Sequence, residues 1–119
     1  MKDINEYVEE VLNTVLPTYY ELFLDNSSHI PCLSYKVSNN SEISKANTLC
    51  YERIIIRVKV WCTSIQDLCE YSSKVDDAIA TLGPFTRSTA SELNDGDLLC
   101  RIIDYVITLP EKYSTTRYL

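Results

Sequence analysis

Glycine is nearly missing from this chain: Gly83 and Gly96 are the only two in 119 residues. A phosphate-cradling loop needs glycines close together, so that backbone N–H groups reach the ligand without side chains in the way, and the scarcity argues against such a loop. Histidine occurs once, as His29, in a turn just before Ile30-Pro31. With no further histidine or cysteine at ligand spacing, no metal centre is expected, and His29 reads as a surface residue rather than a general base. No G-x-S-x-G elbow marks a nucleophilic serine. No window of 18 apolar residues is present to span a membrane, and MKDINEYVEE lacks the apolar core of a secretory leader.

Cysteine is present but in no recognised pattern. Cys32, Cys50, Cys62, Cys69 and Cys100 are odd in number and contain no C-x-x-C pair. That suits neither a disulfide framework nor a zinc site, and buried, reduced thiols are the expectation. Cys69, one turn into a helix, is expected to be packed rather than reactive.

The formal net charge is −6, which gives no long-range attraction for nucleic acid. The charge is uneven. Residues 1–17 carry net −3 and residues 64–82 net −3, whereas residues 50–63 carry net +2. Copies of such a domain can meet acidic face to basic face, although a solvated surface explains the same numbers.

The length suits one α+β domain over 1–119, with 110–119 expected to be a mobile tail. Ile4, Val8, Val11, Leu12 and Val15 predict an amphipathic helix over 3–15, capped by Asp3 with Glu6 in capping-box position and stopped by Pro17. Short strands are expected at 19–24 and 31–37. The polar run SNNSEISKANT then reads as a loop of about a dozen residues, and loops that long are usually mobile or functional. Asn39, Asn40, Ser41, Glu42, Lys45 and Asn47 are its candidate partner-contact residues. After the strand over 50–62, Ser64 caps a second helix with Ile65, Leu68, Cys69, Ser72, Val75, Ile79 and Leu82 toward the core, ended by Gly83-Pro84. Strands over 85–93 and 98–109 flank Asn94-Asp95-Gly96, a hairpin signal with Asp-Gly at its centre. The fold class is therefore α+β: a single mixed or antiparallel sheet of about five strands, with two helices packed on one face.

The strand RIIIRVKVWCT is the most informative stretch. Ile54, Ile56, Val58 and Val60 share one face, as a half-buried strand requires. The other face carries Ile55, Arg57, Lys59 and Trp61, an isoleucine and a tryptophan set among cations. Two helices cover one side of a sheet, so this second face is the candidate subunit interface, and aromatics beside arginine suit that role. Asp104 interrupts the last strand and is expected to pair with Arg57, Lys59 or Arg101 on a neighbour. Asp76 and Asp77 are adjacent on a helix and point apart, so they form no acid/base pair. No catalytic residues and no cofactor are expected.

The order of elements resembles a known family. HIPCLSYKV, a polar loop, YERIIIRVKVW, a helix in CTSIQDLCEYSSKVDDAIATLG and the hairpin FTRSTASELNDGDLLCRIIDYVITL are similar to the tail completion, or tail terminator, proteins of long-tailed bacteriophages and related prophages. The likeness spans about residues 5–110, its most specific points being P-C-L-S-Y, T-S-I-Q-D-L and R-I-I-D-Y. It implies a non-enzymatic virion protein, made in the host bacterial cytoplasm. It further implies a homo-oligomeric ring, a hexamer in most of the family, seated on the tail-tube protein, halting tube growth and offering a surface to the head-tail connector. Membrane and sequence-specific nucleic-acid partners are not implied. The five cysteines depart from what a virion part usually has. Two alternatives stay open: another head-tail neck protein (head closure or adaptor), and a small non-viral ligand-binding α+β domain.

Overall fold

Residues Ile4, Val8 and Leu12 recur every four positions, so a helix stacks them on one face, and all three are buried in helix α1 (Ile4–Asn13). The computed structural model describes residues 4–21, 30–42, 51–88 and 91–109. The helix stops two residues before the expected 15. Thr14 Oγ1 donates to the Val11 carbonyl at 2.6 Å, and Asn13 Oδ1 accepts the Thr18 N–H at 3.1 Å, which turns the chain into strand β1 (Thr18–Tyr20). That strand is shorter than the predicted 19–24: Glu21 is already a turn residue, with a positive φ of 46°. Residues 22–24, His29 and the proposed cap Asp3 lie outside the described residues.

The centre of the sheet is built from strands β2 (Cys32–Glu42), β3 (Tyr51–Cys62) and β6 (Leu98–Leu109), paired antiparallel. β1 adds parallel to β2. On the far side of β6 lie β4 (Phe85–Arg87) and β5 (Ser91–Asp95), both antiparallel to it. The result is a mixed sheet with six strands in five positions, since β4 and β5 share one edge. The strand expected over 85–93 is thus two pieces, with the Ser88 N–H donating to the Asp104 carbonyl at 2.8 Å between them. The β5–β6 turn also shifts by one residue. Asp95 pairs with Leu98, so Gly96 (φ 64°) is the first central residue of a two-residue loop and Asp95 is still strand.

The largest departure concerns the polar run. Ser38, Asn39, Asn40, Ser41 and Glu42 are strand, continuing β2 in register with β3 from Ser38↔Ile55 to Glu42↔Tyr51. Ladder hydrogen bonds come from the backbone, so a partner as β-prone as residues 53–56 can extend the pairing through residues of low strand propensity. Asn39 to Glu42 are therefore not loop residues, and Lys45 and Asn47 lie outside the described residues.

Helix α2 (Ile65–Ala80) begins where predicted: Ser64 Oγ accepts the Asp67 N–H at 3.1 Å. It ends through Thr81 and Leu82 at Gly83, whose φ of 147° suits glycine alone. Leu68, Ser72, Val75, Ala78 and Ile79 form its buried side. Two residues assigned to the core are not there. Cys69 is exposed, because it follows Leu68 by one residue and so sits about 100° around the helix. Ile65 is 69% exposed, in the first turn just after the chain leaves β3. Buried Ser72 is satisfied within its own helix, its Oγ donating to the Leu68 carbonyl at 2.6 Å.

Both helices lie on the same side of the sheet. There they enclose one core with Leu33 and Tyr35 of β2, Ile54, Ile56, Val58, Val60 and Cys62 of β3, and Ile103, Tyr105 and Ile107 of β6. Each of the fully buried Ile and Val side chains contributes roughly 1.5–3 kcal/mol relative to exposure. Polar bonds tie α2 to β6 and β4: Tyr105 OH donates to Asp76, which also pairs with Arg87 Nε at 3.3 Å, and Arg101 Nη1 donates to Ser72 Oγ at 3.3 Å. Among the described residues, no helix is long and apolar enough to cross a membrane.

Candidate interaction surface

Alternation along β3 sends every second residue away from the helices, and the register fixes its neighbours on β2 and β6. Four rows result. Trp61 lies between Cys32 and Cys100, Lys59 between Ser34 and Ile102, Arg57 between Lys36 and Asp104, and Ile55 between Ser38 and Val106. Arg53 continues the line on β3, and Thr86 of β4 continues the Ile55 row. No described residue of either helix covers this face. The four candidates Ile55, Arg57, Lys59 and Trp61 therefore share one surface. Ile55, Lys59 and Trp61 are half-buried and Arg57 is exposed.

The charges on the face are sorted by geometry. Arg57 and Asp104 form a two-pronged pair, Nε to Oδ1 at 2.9 Å and Nη2 to Oδ2 at 3.2 Å. Their hydrogen bond is the main cause of the raised Arg57 pKa. Of the three partners considered for Asp104, the register selects Arg57. Lys59 is one row away, and Arg101 projects to the opposite face, where Glu92 Oε1 accepts from its Nη2 at 2.6 Å. Lys36 Nζ pairs with Glu21 at 3.0 Å. Among the described residues, no ion pair engages Arg53 or Lys59, so these two cations remain uncompensated. Exposed pairs such as Arg57–Asp104 contribute about 0–1 kcal/mol, and their effect here is to fix geometry and neutralise charge.

Trp61 anchors the other end. Its indole Nε1 donates to Ser34 Oγ at 3.2 Å, which tilts the ring toward β2. Ser34 is 2% exposed, and Cys32 and Cys100 beside Trp61 are buried on a face that no helix of the described residues covers. Burial pushes the thiols of Cys32 and Cys100 up to about 11, and does the same for Cys62 on the helix side. These three are thus inert thiols at neutral pH. The described cysteines are free, and Cys50 lies outside the described residues.

At the opposite end of the face is a shallow groove of about 560 Å³, lined by Arg53, Val106, Thr86, Phe85 and Pro84. Arg53 is its one titratable lining residue among those described, so no set of acid, base and nucleophile converges there. Among the described residues, no group of three or more His, Cys, Asp or Glu side chains is placed to hold a metal ion.

Arg53, Lys36, Ile102 and Val106 belong to the face and were not singled out from sequence. Arg53 is signalled by the same alternation that gives Ile55 and Arg57. The β6 pair is signalled only once the β3–β6 register is known, because RIIDYV has apolar residues on both of its faces. Comparison of the chain with protein-family models and with curated proteins finds no match.

Proposed function

We propose that this protein is a non-enzymatic assembly subunit of a bacteriophage virion, a tail terminator that joins copies of itself into a ring on the tail tube. One observation carries the reading: a sheet face that no helix of the described residues covers, on which half-buried Trp61, Ile55, Ile102 and Val106 alternate with a pre-formed Arg57–Asp104 pair and two cations without an ion pair among the described residues. Apolar side chains among charges, with tryptophan and arginine prominent, are the composition of a protein contact rather than of a solvated surface. The family resemblance supports a ring with the tail-tube protein and the connector as its partners, and a location in the virion. The alternating face is equally suited to another neck protein, and partner choice between tube and connector separates the two.

Native mass spectrometry over rising concentration tests the self-association. A closed species of uniform copy number, with about six subunits in the family pattern, is expected for the wild type. A Trp61→Ala variant is expected to stay folded by circular dichroism and to lose that species. A wild-type chain that stays monomeric at every concentration, with tail tube present as well as without it, contradicts the reading, and so does a Trp61→Ala chain that assembles normally.

A further inference from the structure

We infer that the occupant of the open sheet face is the outer side of α2 from a second copy, so that copies join head to tail rather than face to face. This deepens the self-association reading and rests on it. Among the described residues, Arg53 and Lys59 are the cations of the face without an ion pair, since Arg57 and Lys36 are already paired with Asp104 and Glu21. Two open faces brought together would confront four unpaired cations while removing water from around them, an arrangement that like-charge repulsion disfavours. A contact between two identical patches is therefore disfavoured, and the better complement is an acidic surface elsewhere on the same chain.

The helical layer supplies it. Within α1 the charged residues are Glu6, Glu9 and Glu10, and within α2 they are Asp67, Glu70, Asp76 and Asp77 against Lys74. Gln66, Glu70, Ser73 and Asp77 repeat at helical spacing and are all exposed, so they form one outward stripe on α2, opposite its buried side. Asp77 has no ion pair among the described residues, and Glu70 pairs only with exposed Lys74 at 3.3 Å. Position selects α2 over α1. α2 packs on β3 and β6, whose reverse sides carry Lys59, Ile102 and Trp61. A second copy displaced along the sheet normal thus presents its α2 stripe to the open face of the first. A contact between two different patches repeats from copy to copy, and a constant rotation between neighbours closes it into a ring.

The test uses two charge reversals in the full chain, Arg53→Glu/Lys59→Glu on the sheet face and Glu70→Lys/Asp77→Lys on α2, with assembly measured by sedimentation. Each variant alone is expected to associate at least about tenfold more weakly than the wild type. The chain carrying all four substitutions, and an equimolar mixture of the two variants, are expected to regain association, which also shows that each variant folds. If the α2 variant assembles like the wild type while the sheet-face variant does not, the head-to-tail contact is wrong and self-association through the open face stands. If the four-substitution chain stays dissociated although folded, the pairing of these two surfaces is likewise overturned. A wild type that never associates, even with tail tube present, removes the assembly reading itself.

Discussion

Cys32, Cys62 and Cys100 are thiols shut away from water, Cys62 under the helices and the other two beside Trp61, and that makes the protein's alkaline stability predictable. Their folded pKa is about 11, against an ordinary thiol value of 9.0. The folded state therefore holds its protons more tightly than the unfolded state does. The resulting stability is fully present below pH 9 and is lost as pH rises through 11. Tyr105, raised by burial and by its hydrogen bond to Asp76, acts in the same direction above its ordinary range. The urea midpoint is expected to fall steadily between pH 9 and 11, and replacing Cys100 with Ala is expected to flatten part of that fall. A midpoint independent of pH across this window contradicts the burial of these thiols. At the same scale, Lys59 differs from Arg57 in a way composition does not reveal: Arg57 has Asp104 directly across the ladder, and Lys59 has Ile102. A charge count over β3 treats them alike, and only the register tells the engaged cation from the available one.

At the scale of the element, α2 depends on its first turn. Ser64 Oγ accepts the Asp67 N–H, satisfying one of the donors a helix start leaves open. Ser64→Ala is expected to cost about 1 kcal/mol in equilibrium unfolding without altering assembly. Ile65→Lys, at a residue that is 69% exposed, is the contrasting control and is expected to cost little. An Ile65 variant more damaging than the Ser64 variant would mean that the first turn is buried. Local signals of this kind were legible in the sequence: the cap, the Gly83-Pro84 stop, the four-residue stripe of α1 and the alternation of β3. What was not legible depends on a distant partner. Ser38 to Glu42 have no strand-forming character of their own, and they are strand because β3 supplies a ladder beside them. Cys69 carries a core-like residue type at a core-like spacing, yet a single step around the helix puts it outside, next to Arg101.

At the scale of the molecule, both helices lie on one side, and the open side is the consequence. That much follows from sequence, since two amphipathic helices are too few to cover both sides of the strands. Four residues of the open face are legible as well, because β3 shows both its faces in one alternating run. Arg53, Lys36, Ile102 and Val106 complete the surface only through strand order and register, which no local pattern encodes. The same layered arrangement puts net acidic helices on one side and uncompensated cations on the other, a polarity that favours head-to-tail stacking over symmetric pairing. The contact is expected to weaken as salt rises, because Arg53 and Lys59 act across solvent-accessible distances at encounter.

Trp61 is the sole tryptophan of the chain and stands on the open face, so its fluorescence reports on that face and on nothing else. The most direct test is the Trp61 emission spectrum, recorded as the protein passes from dissociated to assembled with size followed by light scattering. Burial against a second copy predicts a shift to shorter wavelength and reduced acrylamide quenching that track the growth in mass. Assembly with an unchanged spectrum and unchanged quenching would place the contact elsewhere and contradict the account.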